Sequence, residues 1–210
     1  MGRWAQASFG RSAFHEVGLV IAGSSSPEQE QAILGLFDEG IASRHSVFHG
    51  HVVRKDELVY PLVLNVYGGS SLVDALAVMH DGGCRTVLFV GLAGGDIVIP
   101  NIAHHLDGLY TSIAPGRTQT FPDKMLKTRL EAGLTDCQIA FHIGTHISVP
   151  AVSLQPSMKD AHFQALNPNT VDLELAACLS RAADLGMRAA GVLIVSDNRT
   201  HPFGTKDRPL

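Results

Sequence analysis

Short apolar runs rich in Val, Ile and Leu recur along the chain. They cover Val17 to Ala22, Leu62 to Tyr67, Thr86 to Val90, Asp96 to Ile99, Gln138 to Ile143 and Gly191 to Val195. Most lack strict alternation, the pattern of strands covered on both faces of a sheet. Helical spacing fills the gaps between them. Pro27 to Phe37 carries Ile33, Leu34, Leu36 and Phe37 behind Ser24-Ser25-Ser26, a start able to supply an N-cap. Ser70 to His80 places Leu72, Leu76 and Met79 on one stripe. Asp172 to Leu185 does the same with Leu175, Leu179 and Ala182, and stops at Gly186. Strands alternating with helices predict an α/β layer fold. Leu109 to Asp123 reads as a long loop, a kind of segment that often serves function.

Length and composition narrow the picture. The chain of 210 residues fits one domain, 1–210, with a sizeable core. Its 45% hydrophobic and 17% charged residues suit a globular protein rather than a disordered one. The net charge of −4 comes without a basic stripe, so no nucleic-acid partner is expected. The apolar runs are of strand length, and no membrane partner is expected either. Met1 to Glu16 has no apolar h-region, so no signal peptide is expected. The three cysteines, Cys84, Cys137 and Cys178, are scattered and read as core residues in a reduced, cytoplasmic setting. His104-His105 and His142-x-x-x-His146 raise the question of metal. Neither has an acidic or thiol partner at ligand spacing, so structural or hydrogen-bonding roles are expected and no metal site.

Three segments carry candidate chemistry. Val66-Tyr67-Gly68-Gly69-Ser70-Ser71 leads from a strand into a helix. It is either a tight turn or a place where backbone N–H groups meet an anion or a sugar. Thr86 to Pro100 contains Gly91-Leu92-Ala93-Gly94-Gly95. Its small residues serve close strand packing or form the floor of a ligand pocket. The third segment is Val171-Asp172-Leu173-Glu174-Leu175-Ala176-Ala177, followed after a helix by Val192-Leu193-Ile194-Val195-Ser196-Asp197-Asn198. Asp197 ends an apolar strand, where open α/β sheets place ligands. Glu174 sits near a helix start. Each acid alone is a cap or a turn residue; together with the glycine segments they suggest a site.

The order and spacing of these segments resemble the nucleoside phosphorylase superfamily of purine nucleoside phosphorylases, uridine phosphorylases and nucleosidases. The resemblance runs from about Val17 to Asn198 and is strongest over Asp172 to Asn198. It implies a three-layer α/β sandwich whose mixed, twisted central sheet partly closes on itself. It implies cleavage or formation of a nucleoside glycosidic bond, by phosphorolysis as the family default. Hydrolysis without phosphate and a non-catalytic nucleoside-binding member are the alternatives. Glu174 matches the family's ribose-binding Glu, with Leu173 where Met is usual. Asp197, after Ser196, matches the acid that protonates the leaving base. Gly68, Gly69, Ser70, Gly91, Ala93, Gly94 and Ser196 match the substrate pocket. Gly23 and Arg44 fall where phosphate or a neighbouring subunit is contacted. His15 is a second candidate for the neighbour's contribution. The implied partner is a nucleoside or related small molecule, in a homo-oligomer (dimer, trimer or hexamer). No cofactor is implied, only phosphate as co-substrate.

The chain departs from that pattern on the phosphate and base sides. Phe89 and Leu92 stand where the family has an Arg and a hydroxyl residue. Gly23-Ser24-Ser25-Ser26-Pro27 replaces a phosphate loop that carries an Arg, and Val152-Ser153 stands at the usual aromatic pair. Charged hydrogen bonds contribute about 1.5–3 kcal/mol each, so two lost partners weaken phosphate binding by several kcal/mol. Arg199 offers a replacement cation or is a solvated loop residue. His162 and His201 are candidate pH-dependent hydrogen bonders.

Overall fold

A computed structural model describes residues 2–23, 26–42, 48–94, 96–151 and 161–197. In chain order its elements begin with α1 (Arg3–Phe9), β1 (Val17–Ala22), α2 (Pro27–Leu34), β2 (Glu39–Ala42), β3 (His49–Lys55), β4 (Leu58–Val66), α3 (Gly69–Asp81) and β5 (Thr86–Gly94). There follow β6 (Val98–His105), α4 (Leu109–Ile113), β7 (Gln119–Thr120), α5 (Lys124–Asp136) and β8 (His142–Ser148). The last are α6 (Ala161–Leu166), β9 (Thr170–Asp172), α7 (Leu175–Asp184) and β10 (Arg188–Asp197).

The strands form one mixed sheet in the order β2-β3-β4-β1-β5-β10-β6-β8-β9, with β7 on β6. The four central strands β4, β1, β5 and β10 run parallel, so their C-terminal ends share one edge. β6 runs antiparallel to β10, and β8 and β9 continue parallel to β6. β9 lies four places from β5 in the strand order, yet the two pack against each other. Accumulated twist therefore curls the sheet until it partly closes, as the resemblance implies.

Two of the three expected helix faces hold, and the α2 stripe holds only in part: Ile33, Leu34 and Phe37 are half-buried, while Leu36 is exposed. Leu72, Leu76 and Met79 of α3 and Leu175, Leu179 and Ala182 of α7 are all buried, in one core with Val20, Val87, Phe89 and Leu193. Helix α2 starts on Ser26, whose hydroxyl accepts from the Gln29 N–H while Gln29 accepts from the Ser26 N–H, a reciprocal cap. It ends at Leu34 rather than Phe37, because Leu36 and Phe37 close a turn on Ile33 and Leu34.

Several expectations are corrected. The strand placed at Gln138 to Ile143 is β8, four residues later. Gln138 sits at φ 57, and Ile139 still bonds to Leu134 of the preceding helix turn. Of Asp96 to Ile99 only Val98 and Ile99 are in a strand, β6, which continues to His105. The long loop from Leu109 to Asp123 contains α4 and β7. The unanticipated α1 places Ala5 and Phe9 in the core, and the Asp81 carboxylate holds the N–H groups of Gly2, Trp4 and Ala5 at its start.

Candidate active site

The candidate site sits at the C-terminal edge of the parallel strands, where β4 turns into α3. Val66 ends β4, and its carbonyl accepts the Gly23 N–H, tying the ends of β1 and β4 together. Gly68 lies at φ 86, ψ 149, a conformation essentially confined to glycine. No atom of the described residues lies within 4 Å of where its side chain would be. This turn gives its N–H to Glu174: Gly68 N donates to Glu174 Oε1 at 2.6 Å. Two segments 106 residues apart, picked out separately in sequence, are thus joined by a hydrogen bond.

Glu174 is the N-cap residue of α7, yet its side chain caps nothing in that helix. It is buried, and its second oxygen accepts the Leu173 N–H at 3.2 Å. Burial, then the charge of Asp172, push its carboxyl up to about 8, against the partial relief of the two N–H bonds. Each carboxyl oxygen has one N–H partner and so keeps a second lone pair. That is the acceptor capacity a pair of sugar hydroxyls needs.

Below Glu174 lies a polar network that sequence reasoning missed. Asp172 Oδ1 accepts from His146 Nε2 at 2.8 Å and from Ser148 Oγ at 2.7 Å. The same carboxylate accepts the N–H groups of Glu174 and Leu175. His146 Nδ1 lies 2.9 Å from Thr170 Oγ1, and Ser148 Oγ accepts the Ala176 N–H. A carboxylate only accepts, so the imidazole hydrogen is assigned to Nε2. Burial works to raise the Asp172 carboxyl, but the attraction and hydrogen bonds of His146, Ser148 and Glu174 N–H outweigh it and hold it below the ordinary carboxylate value. The missed signal is a period of two: His146 with Ser148 and Thr170 with Asp172 put four polar groups inside apolar strands.

The other expected residues divide. Gly69 is a packing glycine, since a Cβ there would lie 2.9 Å from Ala177 Cβ. Ser70 is exposed in the first turn of α3. Leu173 is buried in a separate small core with Ile147 and Val149. Gly91 serves strand packing, because a Cβ would lie 2.5 Å from the Phe89 ring and 3.0 Å from Leu193. The register of β10 on β5 sets Val195 opposite Ala93 and, past a bulge at Ser196, sets Asp197 opposite Gly94. The side chains of Ala93, Ser196 and Asp197 fall outside the described set, as do Arg44, Ser24, Ser25, Val152, Ser153, Arg199 and His201 and the side chain of His162. His15 packs on the Tyr60 ring and accepts the Val17 N–H. His105 is buried against Ser180 Oγ at 2.8 Å, so it and His146 take the hydrogen-bonding roles expected of them. Among the described residues no group of three His, Cys, Asp or Glu side chains is arranged to hold a metal, and no helix is long and apolar enough to cross a membrane.

The family model of the phosphorylase superfamily matches residues 67–207, which takes in the Gly68 turn, Glu174 and Asp197. The chain belongs to the phosphorylase superfamily. No curated protein matches it in sequence. Among solved structures it is similar to purine nucleoside phosphorylase from Toxoplasma gondii in complex with immucillin-H, with 14% identity and a TM-score of 0.74, over 88% of this chain and 79% of that one. It is also similar to the Campylobacter jejuni 5′-methylthioadenosine/S-adenosyl homocysteine nucleosidase, with 16% identity and a TM-score of 0.76, over 90% of this chain and 89% of that one. At such identities the likeness is one of fold. Membership places the chain among phosphorylases and nucleosidases without deciding between them.

Proposed function

We propose that the chain breaks or makes the glycosidic bond of a nucleoside, with Glu174 holding sugar hydroxyls and Asp197 supplying the proton to the leaving base. The supporting observation is the buried Glu174 carboxyl bonded to the Gly68 N–H beside an open turn. Breaking the C1′–N bond leaves the electron pair on the base and positive character on the sugar. A proton from Asp197 neutralises the base, and the acceptor adds at C1′. Phosphate as acceptor is the superfamily default. Water is favoured by Phe89: the ring at the family's Arg place is buried against Leu193 and Gly191, apolar company for a phosphate dianion. A homo-oligomer in which a neighbour adds a cation, from Arg44 or His15, fits the same reading.

The test is base release from a panel of purine and pyrimidine nucleosides, with and without inorganic phosphate. At least one nucleoside is expected to yield free base, and to do so in phosphate-free buffer. Release that strictly requires phosphate would reassign the acceptor. No release from any nucleoside in either buffer would overturn the reading.

A further inference from the structure

The His146–Asp172 pair is buried, and with Ser148 and Thr170 it makes four buried polar side chains in one place. Burying such groups is costly unless each is matched, and an apolar set would fill the space at less cost. The network therefore calls for a use. Its geometry supplies one. Asp172 accepts the backbone N–H of Glu174 at 3.0 Å and that of Leu175 at 2.9 Å, so it fixes the turn from which the Glu174 side chain reaches Gly68. His146 from β8 and Ser148 two residues on clamp Asp172 from the far side, and Thr170 fixes the His146 ring. Among the described residues, the other titratable groups near this region include Cys178, buried on α7, and Asp107, whose Oδ2 lies 3.6 Å from where a Gly69 side chain would begin and which pairs with buried His105 at 3.5 Å.

Resting on the reading of Glu174 as the sugar-binding group, we propose that Asp172 is its positioning residue. Clamped by His146 and Ser148, it aims the Glu174 carboxyl at the sugar, and its fixed negative charge makes sugar binding compete with a proton on Glu174. A sugar diol donates hydrogens and so selects the ionised carboxylate, whereas a neutral carboxylic acid presents a hydrogen of its own. Nucleoside binding near neutral pH then releases a proton from Glu174. Affinity weakens about tenfold for each pH unit below the Glu174 midpoint.

The decisive experiment is a 13C-carboxyl NMR titration of the full chain, with Glu174→Gln assigning the Glu174 signal. In the wild type the midpoint is expected at about 8. Asp172→Asn keeps an acceptor but loses the charge, and should lower that midpoint by about 1 pH unit or more. Ser148→Ala loosens the clamp and keeps the charge, so its melting temperature falls while the Glu174 midpoint stays with the wild type. A wild-type midpoint in the ordinary carboxylate range, or an unchanged midpoint in folded Asp172→Asn, would overturn the proposal. Calorimetry at pH 7 in two buffers of different ionisation heat, with the nucleoside found in the base-release panel, should record release of close to one proton in the wild type and about half a proton or less in Asp172→Asn. Binding without proton release in the wild type would also overturn it. Failure of every nucleoside to bind would sink the functional reading instead, and the carboxyl titration would still decide the role of Asp172.

Discussion

The two sides of the candidate site are built from opposite materials. On the sugar side a charged residue is buried and every partner it needs is supplied: Asp172 has His146, Ser148 and two backbone N–H groups around it. On the side where the resemblance implies phosphate, the strand position is the Phe89 ring, buried in the main core. One side is held by directional bonds to a unique geometry, and the other by packing. On the proposed reading, the contrast means that sugar recognition is kept by directional bonds while the acceptor side is apolar.

That contrast yields variants ordered by expected effect. Asp197→Asn keeps the shape but cannot transfer a proton. It should slow the chemical step by about 10²–10⁴-fold with little change in nucleoside affinity, and the loss should shrink for bases that leave without protonation. Wild-type turnover of a poor leaving base by this variant, in single-turnover kinetics, would move the acid elsewhere. Phe89→Ala tests whether the apolar side is core: chemical denaturation should show a loss of about 3–5 kcal/mol. A small loss would mean that the ring is dispensable to packing.

Glu174→Gln sharpens the sugar side through pH. Burial and the Asp172 charge push the Glu174 carboxyl up to about 8 in the folded chain, from an ordinary value of 4.5. Between those limits the folded state holds a proton that the unfolded state has released. Its contribution to stability is full below pH 4.5 and is lost as pH rises through 8. Glu174→Gln removes that dependence. The stability of the variant relative to wild type, read by denaturation, should therefore rise from pH 5 to pH 8, at on the order of 1 kcal/mol per pH unit. A constant difference would contradict the burial argument. The smallest expected effect is at Gly69. Gly69→Ala brings a methyl within 2.9 Å of Ala177 and should cost about 1–3 kcal/mol as α3 and α7 are pushed apart, read by thermal melting.

How much of this was legible in the sequence follows from which forces act locally. The α7 stripe of Leu175, Leu179 and Ala182 and the Ser26 cap are local patterns, and both are found. Glu174 and Gly68 were identified by motif, but their contact spans 106 residues and depends on how the sheet curls. The Asp172 network was only half legible: the period-two polar pairs stand in the sequence, but His146 and Ser148 in β8 meet Thr170 and Asp172 in β9 only through strand register. The glycines of β5 carried two readings, and for Gly91 packing decides: only the fold reveals that Phe89, two residues back, occupies the space. Weakly amphipathic α5, with Leu126 its one buried residue, left little periodic signal and displaced the strand expected after it.

The most direct test of the central claim compares a ribonucleoside substrate with its 2′,3′-dideoxy analogue in wild type and Glu174→Ala. If Glu174 holds the sugar hydroxyls, wild type should favour the ribonucleoside strongly in kcat/KM, and Glu174→Ala should bring the ratio close to one, chiefly by losing the ribonucleoside rate. A ratio unchanged by Glu174→Ala, with the fold intact, would contradict the claim.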